Sequence, residues 1–240
     1  MKKRSLRLQI RRPFYENLLL FLFMGFLSGS LGAQEVLRGR VWVDLEPVYQ
    51  RFVDVPYPLD TVTAQRRALE ETKFYFEGMI YGWSFDYEVG ERARKIEENF
   101  ELHSLGSIPL SDPRLTVTDG SVEGSRFYLW TEYRPDGPQR GRLKGWEGGQ
   151  VQKTQASGTG PLAGPVESSQ WMDGKKEALQ DAARAAVRTI LRGTERNRPK
   201  EAHGFIALAE FPLYRIEMGR WVAIAQFRLD IREIVPFAAY

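Results

Sequence analysis

The chain has 240 residues, 34 of them basic and 31 acidic, a formal charge of +3 and no cysteine. The missing cysteines exclude a disulfide framework, thiolate metal sites, a thiol nucleophile and lipid attachment through sulfur. Six basic residues and Glu16 give the first 33 residues +5, so the 28 basic and 30 acidic residues that follow carry −2 and lack the basic footprint of a nucleic-acid binder.

Residues 1–33 read as an export signal. Lys2, Lys3, Arg4, Arg7, Arg11 and Arg12 form a basic segment, and Leu18 to Leu27 form an uncharged apolar run of ten residues. That run suits the core of a signal peptide and is shorter than the ~20 residues that span a bilayer. Cleavage after Gly32 places Ser30 and Gly32 at the recognition positions, and cleavage after Ala33 places Leu31 at the outer one. Removal is the expectation, which leaves no stable membrane span. Retention as an anchor extended by Gly29 to Ala33 is the alternative.

Behind the leader, residues 34–134 read as a first α+β unit. Val41, Val43 and Leu45 alternate with Arg40, Trp42 and Asp44, which predicts a strand. A helix is predicted from Asp60 to Tyr81, capped by Asp60 or Thr61, with Leu69, Thr72, Phe76, Met79 and Ile80 on one face and Gly82 as its stop. Tyr81, Trp83, Phe85 and Tyr87 recur at every second position, the period of a strand. Buried, the row is core beneath the helices; exposed, it stacks on glycan rings or anchors a protein partner. Glu91 to Phe100 predicts a short amphipathic helix, and Leu115–Thr118 with Arg126–Arg134 a hairpin.

Residues 135–173 are rich in glycine and proline and poor in apolar residues, which predicts a flexible loop or linker. Gly158, Gly160 and Gly164 superficially resemble a phosphate-binding loop, but the spacing is wrong and Pro161 interrupts it. Residues 174–240 read as a second helix–hairpin unit, packed with the first as one domain. Its helix runs from Lys175 to Arg192, capped by Asp173, with Leu179, Ala182, Ala183, Ala186 and Ile190 inward. The tail is β, with Trp221, Ala223, Ala225, Phe227, Leu229 and Ile231 on one face and a turn at Met218-Gly219.

Two pairs of segments match. Arg67-Ala-Leu-Glu-Glu parallels Glu177-Ala-Leu-Gln-Asp, and Val122-Glu-Gly-Ser-Arg-Phe parallels Ile216-Glu-Met-Gly-Arg-Trp. Duplication of a helix–hairpin unit is one reading, and chance recurrence of common patterns is the other. The fold class expected is α+β, a mostly antiparallel sheet with two main helices on one face. The run Glu177-Ala-Leu-Gln-Asp-Ala-Ala-Arg-Ala-Ala followed by Gly219-Arg-Trp-Val-Ala-Ile-Ala-Gln-Phe resembles the helix-plus-hairpin module of small bacterial envelope lipoproteins and of flagellar outer-ring assembly proteins. The resemblance covers residues 173–231, and 60–134 more loosely, and implies a non-catalytic envelope role.

No serine-hydrolase elbow, phosphate-binding loop, zinc-protease helix or redox cysteine pair occurs, so no catalytic, cofactor or metal residue is assigned. His103 and His203 stand outside any motif and read as exposed or locally bonded side chains. The expectation is an exported protein, periplasmic or extracellular, with a binding or structural role. Its partner is an envelope protein or cell-wall glycan, met by Trp83, Phe85, Tyr87 and Trp130. The alternative is a secreted carboxylate hydrolase acting on cell-wall glycan, with Asp86, Glu88, Glu132 and Asp230 as candidate acids, because acids from separate strands leave no local signature.

Overall fold

Alternation of Leu37, Val41 and Val43 with Arg38, Arg40 and Trp42 builds the first strand, β1 (Leu37–Asp44), one side buried and the other open. The computed structural model describes residues 36–46, 57–91, 95–163, 170–194 and 199–236; the expected leader lies outside them. Asp60 caps α1 (Thr61–Ile80) by accepting the Thr63 N–H at 2.9 Å and the Thr63 hydroxyl at 2.7 Å. Gly82, at φ +68°, ends it: a Cβ there would lie 2.4 Å from the Ile206 carbonyl oxygen. β2 (Trp83–Glu88), β3 (Asn99–Ser104), β4 (Leu115–Glu123) and β5 (Arg126–Tyr133) follow. Then come α2 (Gly137–Gly145), β6 (Gln152–Leu162), α3 (Asp173–Thr194), β7 (Pro199–Leu208), β8 (Leu213–Glu217) and β9 (Arg220–Pro236).

The protein is α+β and its strand pairs are antiparallel, in two sheets. Sheet A has the order β1-β5-β4. Sheet B runs β3-β2-β7-β9-β6, with β8 beside β9. Ala223 pairs with Gly158 of β6 and with Tyr214 of β8, while Phe227 pairs with Thr154 of β6 and Leu208 of β7. β9 therefore has β6 on one edge, and β8 then β7 along the other. Both main helices cover the face of sheet B that carries Trp83, Phe85, Ile206, Phe227 and Leu229, and α1 is also packed by β1 and β5 of sheet A.

Sheet B curls around α3. The opposite edges of the sheet both reach this helix: the Thr159 N–H of β6 donates to Asp181 at 2.8 Å, and Gln180 donates to the Phe100 carbonyl of β3 at 2.9 Å. Ala178, Ala182, Ala183 and Ala186 are buried there. The small side chains and Gly158 let helix and strand backbones touch, for a Cβ on Gly158 would meet the Ala182 nitrogen at 2.0 Å.

Three expectations are corrected. The segment 135–173, expected as a loop, holds α2 and β6. Asp136 and Gln139 form a capping box that starts α2, and the glycines of β6 serve packing. The short helix expected over 91–100 is a Glu91–Ile96 bridge leading into β3, with residues 92–94 outside the described set. The single sheet is two, because β4 and β5 pair with β1 instead of joining sheet B.

The two halves share one order. β1-α1-β2 followed by the β4–β5 hairpin corresponds to β6-α3-β7 followed by the β8–β9 hairpin. In each, the strand before the helix pairs with the last strand on the edge away from the hairpin partner. The hairpins close on the same pair, Glu123 opposite Arg126 and Glu217 opposite Arg220, around two-residue turns. β3 and α2 interrupt the correspondence.

Candidate functional site

The outer side of sheet A gathers the aromatic and arginine residues that alternation sends away from the core. Trp42 lies opposite Tyr128, and Arg40 opposite Trp130. The Arg40 guanidinium stands 4.1 Å from the Tyr128 ring centre and 4.5 Å from that of Trp130, and Arg126 stands 3.9 Å from that of Trp42. Carboxylates hold the row in place: Arg38 bonds Glu132 at 2.8 Å and Arg126 bonds Asp44 at 3.0 Å. Such a face can grip a partner through rings and forked guanidinium donors.

Of the four residues expected to meet a ligand, Trp130 alone lies on this face. Trp83, Phe85 and Tyr87 are buried on the inner side of sheet B, where Trp83 meets Phe74 and Phe85 stacks on Phe100, so they form core. The Tyr87 hydroxyl donates to Glu98 at 2.6 Å, and Arg188 holds the same carboxylate. Sequence reading missed Arg40, Trp42 and Tyr128 as companions of Trp130. Period two joins Tyr128 to Trp130, but the strand that faces them is invisible without the register.

The candidate acids are divided. Glu132 is on sheet A, bonded to Arg38, whereas Asp86 and Glu88 are on β2 and Asp230 on β9. None of the four lines either of two open clefts of about 430 and 480 Å³ beside α3 and between α1 and α3. Asp86 instead joins both histidines. His203 Nδ1 is 2.6 Å from one carboxylate oxygen and His103 Nε2 is 3.3 Å from the other. The bond to Asp86 raises the His203 pKa, partial burial lowers it, and Glu233 and Glu201 add to the rise. Among the described residues no group of three His, Asp or Glu side chains forms a metal-ligand set.

Two further polar centres are structural, one part-buried and one buried. Asp112, Arg114, Tyr133, Asp136 and Gln139 join the start of β4, the end of β5 and the cap of α2. Hydrogen bonds from Arg114 hold the Asp112 pKa down at about 2, and burial pushes the Tyr133 hydroxyl up to about 12. Deeper in, Lys175 of α3 bonds both oxygens of Glu71 of α1 at 2.8 Å, with Glu71 1% and Lys175 5% exposed. Trp42, Trp221 and Tyr214 surround the ammonium at 4.5–5.4 Å, and Tyr75 donates to Glu71 at 2.7 Å. Burial, reinforced by Glu71, raises the Tyr75 pKa well above its ordinary value.

Fold and sites together define a cysteine-free α+β protein of mostly antiparallel sheets. It belongs to an uncharacterised family whose model matches residues 26–237. An uncharacterised protein of Treponema pallidum (strain Nichols) is 25% identical over 167 residues, 70% of this chain and 68% of that one. No solved structure matches the chain. Neither match bears a name that links it to envelope lipoproteins or flagellar outer-ring proteins. Among the described residues no helix is long and apolar enough to cross a membrane.

Proposed function

We propose that this is an exported, non-catalytic binding protein of the bacterial envelope, periplasmic or extracellular, and that the outer side of sheet A meets a protein partner. The observation that carries the reading is the row of Trp42, Arg126, Tyr128, Arg40 and Trp130, because Trp, Tyr and Arg dominate the energy of protein interfaces. The leader supports export, and the resemblance to helix-plus-hairpin envelope modules supports a non-catalytic role. A protein partner is favoured over cell-wall glycan because the Arg40 guanidinium lies over the rings on which a sugar would stack.

Capture from envelope extract on the chain from Gln34 onward, beside sedimentation with purified cell-wall glycan, tests the reading. A partner is expected in the first assay and no retention in the second. Trp130→Ala with Arg40→Ala should weaken capture at least about 30-fold, the effect of losing a hot spot. Retention by glycan, lost in the same variant, would replace the protein partner with a sugar. Capture that the variant leaves unchanged would remove the face from the function.

A further inference from the structure

β4 ends sheet A, and its outer edge has no strand partner among the described residues. An edge strand of nine residues presents N–H and C=O groups on which another strand can build, apart from the Gly120 N–H, which donates to the Asp119 carboxylate at 2.8 Å. Its core side is unfinished. Val117 and Val122 lie opposite Thr131 and Phe127, which are buried, yet they are themselves 42% and 54% exposed. A further strand would cover them.

The other side of β4 selects the strand by charge. Asp119 and Glu123, both exposed, lie opposite the half-buried Trp130 and Arg126, with Arg40 3.8 Å from Glu123. A second copy of β4, paired antiparallel about position 119, 121 or 123, would set carboxylate against carboxylate, which disfavours self-pairing. The bulge between Val117 and Asp119 further disturbs a symmetric match. Opposite charge is what these positions accept.

We propose that β4 accepts an extended segment of a partner protein as a fourth strand of sheet A, a segment in which basic residues alternate with β-branched apolar ones. Its basic residues meet Asp119 and Glu123, and its apolar residues cover Val117 and Val122. Main-chain bonds supply affinity and the alternation supplies specificity. The inference rests on sheet A being the binding surface, and it adds how the partner docks.

The test titrates the chain from Gln34 onward with a nine-residue peptide alternating lysine with valine or threonine, against a peptide of equal composition with its lysines in one block. The alternating peptide should bind at least tenfold more tightly and slow amide exchange within residues 115–123. Val117→Lys with Val122→Lys, both exposed positions, should weaken binding at least tenfold. Equal binding of the two peptides, or unchanged exchange in β4, overturns strand addition. So does a dimer in sedimentation that the double variant dissolves, which would seat a second copy there. In the envelope capture, loss on Trp130→Ala with retention in the double lysine variant overturns the docking mode and leaves the face intact. Retention in both variants overturns both.

Discussion

His203 shows how a single side chain becomes informative only through its neighbours. It faces Asp86 across the β2–β7 pair and Glu233 across β7–β9; Glu201, itself paired with Lys200, lies on its own strand, and His103 and Glu101 stand beyond Asp86 on β3. Asp86 raises its pKa, so the charged imidazole stabilises the fold. By linkage the contribution is full below the unfolded value near 6.5 and disappears as pH rises through the higher folded value. Because the side chain is 35% exposed and solvent screens it, the size should stay below about 1 kcal/mol. Urea unfolding of the parent and His203→Gln should differ more at pH 5.5 than at pH 8.5, with the gap shrinking in high salt. A larger gap at the alkaline end would rule out the Asp86 pairing as its source.

At the scale of elements, β6 and α3 are fitted backbone to backbone at Gly158. Gly158→Ala places a methyl against main-chain atoms of Asp181 and Ala182, which cannot rotate away, and should cost about 3 kcal/mol or more. Gly141→Ala is the control: it lies within α2 with open space around its Cβ position and should stabilise by about 0.5–1 kcal/mol. Equal effects in chemical denaturation would remove close packing as the reason for Gly158. The same glycine explains what was legible in the sequence. α1, α3, β2 and β9 are plain from apolar periodicity, since each buries one face and exposes the other. β6 is not, because glycine written for close approach looks like glycine written for a turn. α2 did carry a local signal, Asp136 followed three residues later by Gln139, but few apolar residues accompany it. The candidate face was half legible, since Trp130 belongs to a visible alternation while Arg40 arrives from a strand some 90 residues earlier in the chain. Trp83, Phe85 and Tyr87 were legible as one face, but whether that face met solvent or a helix depended on packing.

At the scale of the molecule, the Glu71–Lys175 pair joins the helices of the two halves, one charge from each. Their buried charges gain little net stability, because removing both from water offsets most of their attraction. What they enforce is partnership: either charge alone inside the Trp42–Tyr214–Trp221 enclosure is left without its counterion. Lys175 also donates to the Trp42 carbonyl at 3.2 Å, so the same contact seats the strand that carries the aromatic face. Lys175→Met alone should therefore cost about 3–5 kcal/mol, whereas Glu71→Leu with Lys175→Met should recover most of that loss. A double-mutant cycle by urea denaturation measures the coupling. If the two substitutions add without recovery, the pair is ordinary packing. If the double variant is stable but loses partner capture, its charge sets the position of Trp42 and, through it, the shape of sheet A. If it retains both stability and capture, the pair fixes only the alignment of the two halves.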